Sequence, residues 1–253
     1  GCVIDDDQKV IELKDELAIF QEWFEKIKEI EPKFKLKLII CGLKIFGKDH
    51  IQEQLDNCVI ALKNNNIIAG FDLVNEEDST PPLIEYREMI KQKQKEHPEL
   101  ELYFHAGESS SRRNDNMYDA ILMGTKRIGH GFIIANHPHL IELVKEKQIC
   151  IEACPISNYV LGYCYDLRWH PWRSLMYKGL PITINADDPG FWDTKGMTLD
   201  FAYATLAWDL DIKELKQFTI NAVKFATITE EERKVHFGML KEKWNSWISN
   251  LIK

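Results

Sequence analysis

ELYFHAGE, residues 101–108, runs an apolar stretch into a polar cluster, and three later stretches repeat the arrangement: KRIGHG at 126–131, CIEACPISN at 150–158 and ITINADDP at 182–189. Segments with helical spacing separate them. Strand and helix in strict alternation make a parallel sheet with right-handed crossovers. Such a sheet, closed as a barrel or left open, brings the carboxyl ends of its strands to one face, so clusters scattered through the sequence converge on one pocket. The pocket so expected holds His105, Glu108, His130, Asp187 and Asp188. Two imidazoles and three carboxylates hold a divalent metal and move a proton, which points to metal-assisted hydrolysis.

Outward from these clusters, residues 36–41 and 67–74 read as two further apolar, partly β-branched strands, and the clusters themselves close strands at 102–105, 127–129, 149–154 and 181–185. Helical patterns occupy 48–63, 82–96, 114–123, 137–147 and 170–178. Residues 8–31 carry apolar side chains at helical spacing, from Val10 and Leu13 to Ile27 and Ile30, until Pro32 stops the pattern. Beyond the sixth strand, helices start near Thr198, Asp211 and Thr229. A barrel of this type closes with eight strands, and an open set of six leaves two apolar edges unpaired. The expectation is therefore an α/β fold, a (β/α)8 TIM barrel lacking its first two strands, with extra C-terminal helices, in a single partial domain over residues 1–253.

Composition bounds the function. At 253 residues and 45% hydrophobic content the chain has the material for one large α/β core. Its formal net charge of -8 and the lack of a basic stripe argue against a nucleic-acid partner. The longest apolar runs, such as 38–43 and 149–156, fall far short of the roughly 20 residues that span a bilayer, so no membrane partner is expected. Six cysteines without a C-x-x-C pair read as free thiols rather than a disulfide scaffold. Residues 1–7 lack the basic and apolar regions of a signal peptide, and a first residue of Gly reads as an internal start.

Each chemical candidate has a plainer alternative. His105 at a strand end suits a metal ligand, with Glu108 three residues on facing substrate, while a core histidine satisfied by a carbonyl fits HAGE equally well. His130 between Gly129 and Gly131 is placed to orient or deprotonate a water; the same glycines suit a strand-to-helix turn. Adjacent Asp187 and Asp188 point to different sides of the backbone, so that one binds metal and the other accepts from substrate; an Asx turn or helix cap is the alternative. His137 and His139 resemble a ligand pair, but Asn136 and Pro138 put them in a helix cap and first turn. Asp72, inside GFDLV, either lies near the pocket or bonds backbone groups beneath it.

Taken together, HAGE, RIGHG, CPISN and DDP in this order resemble the adenosine deaminase superfamily. GFDLV followed by Glu77 and Asp78, and Phe191, Lys195, Gly196, Asp200 and Phe201 after the DDP, resemble its secreted branch, the adenosine deaminase-related growth factors. The resemblance runs from about residue 8 to the C-terminus. It implies a zinc-dependent hydrolysis of adenosine or 2′-deoxyadenosine to the inosine product and ammonia. It implies His105 and Asp187 as zinc ligands, Glu108 as the acid that protonates the purine ring, and His130 as the residue that steers the attacking water. Asp188 is implied to bond the five-membered ring, with Asp72 and Asn75 also on the substrate side; Asn75 stands where the family usually has Gly. The family's other two zinc ligands form an H-x-H on the first barrel strand, which has no counterpart here, so residues 1–253 alone are expected to be inactive and poorly stable. The implied partner is a small purine nucleoside, the implied location is extracellular, and a homodimer stays open. The alternative is a noncatalytic binding or growth-factor-like protein on a deaminase scaffold.

Overall fold

The computed structural model of the chain describes residues 6–7, 9–111 and 113–252. They fall into two compact units, one reaching to Phe104 with Leu122–Thr125 added, the other comprising His105–Ile121 and the chain from Lys126 onward.

In the first unit, α1 (Leu13–Ile30) turns Leu17 and Phe24 inward and stops just before Pro32. It starts later than the pattern over 8–31 suggests; residue 8 itself lies outside the described residues. Strand β1 (Leu38–Leu43), helix α2 (Gly47–Asn64) and strand β2 (Ile68–Val74) form a β–α–β unit with parallel pairing, Ile39 opposite Gly70 and Leu43 opposite Val74. Helix α2 buries Ile51, Leu55, Cys58 and Val59, spaced three, four or one apart as an inward stripe requires. Helix α3 (Arg87–Glu96) follows a 3-10 turn at Leu83–Tyr86. Leu102 then pairs in parallel with Phe71, whose N–H donates to Glu101 O at 3.0 Å and whose carbonyl accepts from Tyr103 N–H at 3.0 Å.

The second unit alternates β3 (His105–Ala106), α4 (Asn116–Met123), β4 (Arg127–His130), α5 (Pro138–Glu146), β5 (Cys150–Ala153), α6 (Pro155–Val160), α7 (Trp172–Tyr177) and β6 (Ile182–Ile184). The last two residues of α4 group with the first unit. Helices α8 (Thr198–Trp208), α9 (Ile212–Lys224) and α10 (Glu230–Leu251) complete it. The four strands are parallel and neighbours in chain order. Strand β6 is buried along its whole length, as expected for a parallel strand covered on both faces. Arg127 Nε meets Glu152 Oε1 at 2.6 Å between β4 and β5, and its guanidinium donates to Phe225 O and Thr227 Oγ1. Asn221 Nδ2 donates to Ile182 O at 2.7 Å, fixing α9 to β6.

Two sequence readings need correction. The strand expected over 102–105 is not continuous: Phe104 N–H donates to Thr125 Oγ1, a side chain taking the place of a ladder partner. Helix α6 follows β5 directly, where none was expected, because six residues are too few to display a helical repeat. The five described cysteines are free, and no described helix is long and apolar enough to cross a membrane.

Candidate metal and proton-transfer site

The site is built where the parallel strands of the second unit end. His105 and Ala106 of β3 stand opposite Gly129 and His130 of β4. Past the ladder, Gly131 N–H donates to Ala106 O at 3.0 Å and Ile133 N–H to Gly107 O at 3.1 Å, so both polar clusters are held by backbone bonds. Gly107 has φ +77°, and a Cβ there would meet Met117 Sδ at 2.6 Å; only glycine fits. A Cβ on Gly129 would approach the His105 ring to 3.2 Å, so this glycine lets the imidazole lie against the neighbouring strand. The rings of His105 and His130 are 4.9 Å apart between centroids.

Strand β6 carries its pairing one step further through Asn185 N–H to Ala153 O at 2.8 Å, and Asp187 follows two residues later. Asp187 and His130 both hold left-handed backbone, with φ 57° and 62°. Asp and His tolerate that region better than most residues. Gln148, Asp193 and Asp209 share it, so backbone strain alone does not mark the site.

The result is a cluster in which one ligand atom each of His105, His130 and Asp187 lies within 4.8 Å of the others. Two imidazole nitrogens and a carboxylate oxygen are donors of the kind zinc takes, so the residues fit a divalent metal. Glu108 is buried beside them, its Oε1 3.3 Å from His130 Nδ1. Burial first, and then the charge of His105, pushes His130 well below the usual imidazole range. The ring is therefore neutral, its contact with Glu108 is not an ion pair, and it is in the form that ligates or accepts a proton. Burial, and after it Asp187, pushes the Asp188 carboxyl up, with His105 opposing.

The structure thus brings together His105, Glu108, His130, Asp187 and Asp188. His130, read from sequence as a residue that steers water, also stands at ligand distance from His105 and Asp187. Asp72 and Asn75 belong to the first unit. The buried Asp72 carboxylate accepts from Leu73 N–H at 2.6 Å. Asn75 holds φ 104°, where glycine is favoured, and its Oδ1 accepts from Ile45 N–H at 3.3 Å. His137 occupies the cap position of α5 with Nδ1 3.3 Å from Tyr118 Oη, outside the metal-ligand cluster. Sequence reasoning missed the surroundings of Cys154. Its thiol is buried among Asp187, Glu152, Glu108 and Asp200, and burial, more than these charges, pushes it well above its usual range.

Parallel strands alternating with helices, and a His–His–Asp cluster at the strand ends, define the class: an α/β protein with a candidate metal site. Comparison with known proteins narrows it. The adenosine deaminase family profile matches residues 19–242, and the chain belongs to that family. It is 38% identical over 231 residues to adenosine deaminase 2 of Dictyostelium discoideum, covering 87% of this chain and 42% of that one. Adenosine deaminase 2 of Homo sapiens is 35% identical over 248 residues, covering 92% and 47%. The chain thus spans less than half the length of these relatives. Among solved structures, an adenine deaminase from Arthrobacter aurescens superposes with TM-score 0.72 at 21% identity, covering 84% of this chain and 62% of that one. An amidohydrolase from Burkholderia ambifaria with bound Zn superposes with TM-score 0.71 at 20% identity, covering 85% and 58%.

Proposed function

We propose that this protein is a zinc-dependent deaminase that hydrolyses adenosine or 2′-deoxyadenosine to inosine or 2′-deoxyinosine and ammonia. The observation that carries the reading is the convergence of His105, His130 and Asp187 within 4.8 Å, with Glu108 3.3 Å from His130, in a chain of the adenosine deaminase family. The Zn bound to the Burkholderia amidohydrolase supports the choice of metal. His105 and Asp187 would hold the zinc, which would supply Lewis acidity of the kind that lowers the pKa of water from roughly 15.7 to about 7.

The chain's own residues do the rest. Neutral His130 accepts a hydrogen bond or a proton from the attacking water and fixes its direction. The water oxygen bonds to the ring carbon that carries the amine as one water proton passes to His130; the carbon–nitrogen bond then breaks, the amine leaving as ammonia with the proton His130 returns, while the remaining hydroxyl proton restores Glu108 as the carbonyl forms. Glu108 gives a proton to the adjacent ring nitrogen, so the attack does not build negative charge on the purine. Asp188, exposed beside Asp187 and with its carboxyl pushed up by burial, donates a hydrogen bond to the free nitrogen of the five-membered ring, an atom that can only accept. Asp72 and Asn75 enter the nucleoside-binding set through the family resemblance alone, as does an extracellular place of action.

The test is inosine formation by the complete natural protein, purified with and without zinc. Zinc-dependent release of inosine and ammonia from adenosine is the expected result. A protein that binds zinc yet leaves adenosine and 2′-deoxyadenosine intact sinks the deaminase reading.

A further inference from the structure

Asp200 is a buried carboxylate that the proposed chemistry does not use. It lies in the first turn of α8, 1% exposed, and its Oδ1 accepts from Ile156 N–H at 3.2 Å in the first turn of α6. It also accepts from its own backbone N–H. One carboxylate therefore serves the starts of two helices, and neither has a side-chain cap of its own: Cys154 before α6 and Met197 before α8 make no capping bond. Its other oxygen, Oδ2, is buried with no hydrogen-bond partner, an exception in folded proteins.

The two helix starts are not arbitrary places. Helix α6 continues directly from β5 through Cys154, and α8 closes the loop that leaves β6 and carries Asp187 and Asp188. Backbone pairing holds the ends of β5 and β6 together, with Ala153 opposite Ile184 and Asn185 N–H on Ala153 O. The Cys154 thiol lies in the field of both Asp187 and Asp200. The Asp187 loop is thus fixed at one end by the sheet and at the other by Asp200.

We propose that Asp200 is a positioning residue for the metal centre: by joining the start of α8 to the start of α6 it holds the loop that presents Asp187 to His105 and His130. This inference rests on the deaminase reading, in which His105 and Asp187 hold zinc and His130 faces the attacking water. A cap that served only the two helices would affect unfolding and leave the metal untouched. A residue that places Asp187 affects zinc affinity and turnover, and an amide in its place, which still accepts from Ile156 N–H, restores them.

The experiment compares wild type, Asp200→Ala and Asp200→Asn in the complete natural protein. It measures zinc affinity by chelator competition, kcat and KM for adenosine, and the melting temperature of the metal-free form. The expected result is that Asp200→Ala weakens zinc at least tenfold and lowers kcat at saturating zinc with KM within twofold, while Asp200→Asn stays within threefold of wild type in zinc affinity. Should Asp200→Ala fail to fold, Asp200→Glu, longer by one methylene, displaces the same anchor and is expected to weaken zinc more than threefold. A lower melting temperature with wild-type zinc affinity and kcat in Asp200→Ala or Asp200→Glu makes Asp200 a helix cap only and overturns the proposal. Loss of zinc in Asp200→Asn equal to that in Asp200→Ala overturns it as well. If wild type itself takes up no zinc, the deaminase reading fails first, and that outcome is read from the unmutated protein.

Discussion

Glu108 Oε1 and His130 Nδ1 meet at 3.3 Å, and in the proposed reaction the imidazole, held low by burial, accepts a proton while the carboxyl beside it delivers one. Replacing Glu108 with Gln keeps the size and removes the transferable proton. Turnover is expected to fall about 100-fold or more, the usual worth of a positioned acid, with zinc content unchanged by metal analysis. Activity within a few-fold of wild type would remove Glu108 from that role. A second residue-scale prediction concerns His170, buried against Phe132, Trp172 and Trp208, with Nε2 3.0 Å from Asn158 Oδ1. Burial pushes its pKa down to about 3, whereas the unfolded chain protonates near 6.5. Because the folded value is depressed, its contribution is complete above about pH 6.5 and is lost as pH falls toward 3, a change on the order of a few kcal/mol. His170→Phe is expected to flatten the unfolding free energy measured in urea between pH 6.5 and 4; parallel profiles would refute this. The candidate site was legible because HAGE, RIGHG and DDP concentrate rare residues at strand ends. Asp200 was visible only as one letter of a resemblance, since nothing local in TLDFAY announces that its carboxylate reaches Ile156.

At the scale of elements, periodicity and caps read well where they are long. The starts expected near Asp211 and Thr229 are capping boxes: Asp211 accepts from Glu214 N–H and Thr229 from Glu232 N–H, each returned by the glutamate side chain. Thr229→Ala removes one such bond from α10 and is expected to cost about 1 kcal/mol of stability, measured as a shift in denaturation midpoint at constant slope. A change below about 0.3 kcal/mol would mean that α10 frays independently of the fold, since a cap on a frayed helix contributes nothing to global unfolding. The short elements read poorly for a reason of geometry. Helix α6 has six residues, under two turns, and begins at a proline that serves equally as a strand terminator or as the first helical residue. Strand β3 pairs over two residues because Phe104 N–H is taken by Thr125 Oγ1, a partner twenty-one positions away that no local pattern reveals.

At the scale of the whole molecule, local patterns identified parallel strands between helices, but not their division into a two-stranded sheet and a four-stranded one in separate compact units. Pairing partners are chosen by contacts distant in sequence, which periodicity does not encode. The proposed metal makes a prediction at this same scale. His105 comes from β3, His130 from β4 and Asp187 from the loop after β6, so their nitrogens and oxygen converge only in the folded chain. A ligand that binds the folded state and not the unfolded one stabilises it by about 2.7 kcal/mol when present at 100 times its dissociation constant. At roughly 2–4 °C per kcal/mol for a domain of this size, zinc is expected to raise the melting temperature of the complete natural protein by about 5–11 °C. A chelator should reverse the shift, and His105→Ala should abolish it while leaving the metal-free melting temperature nearly unchanged. The control separates a metal held by this cluster from zinc bound at exposed carboxylates, which would persist in His105→Ala. A zinc-induced shift of the same size in that variant would place the metal elsewhere, and with it the water that the proposed reaction requires.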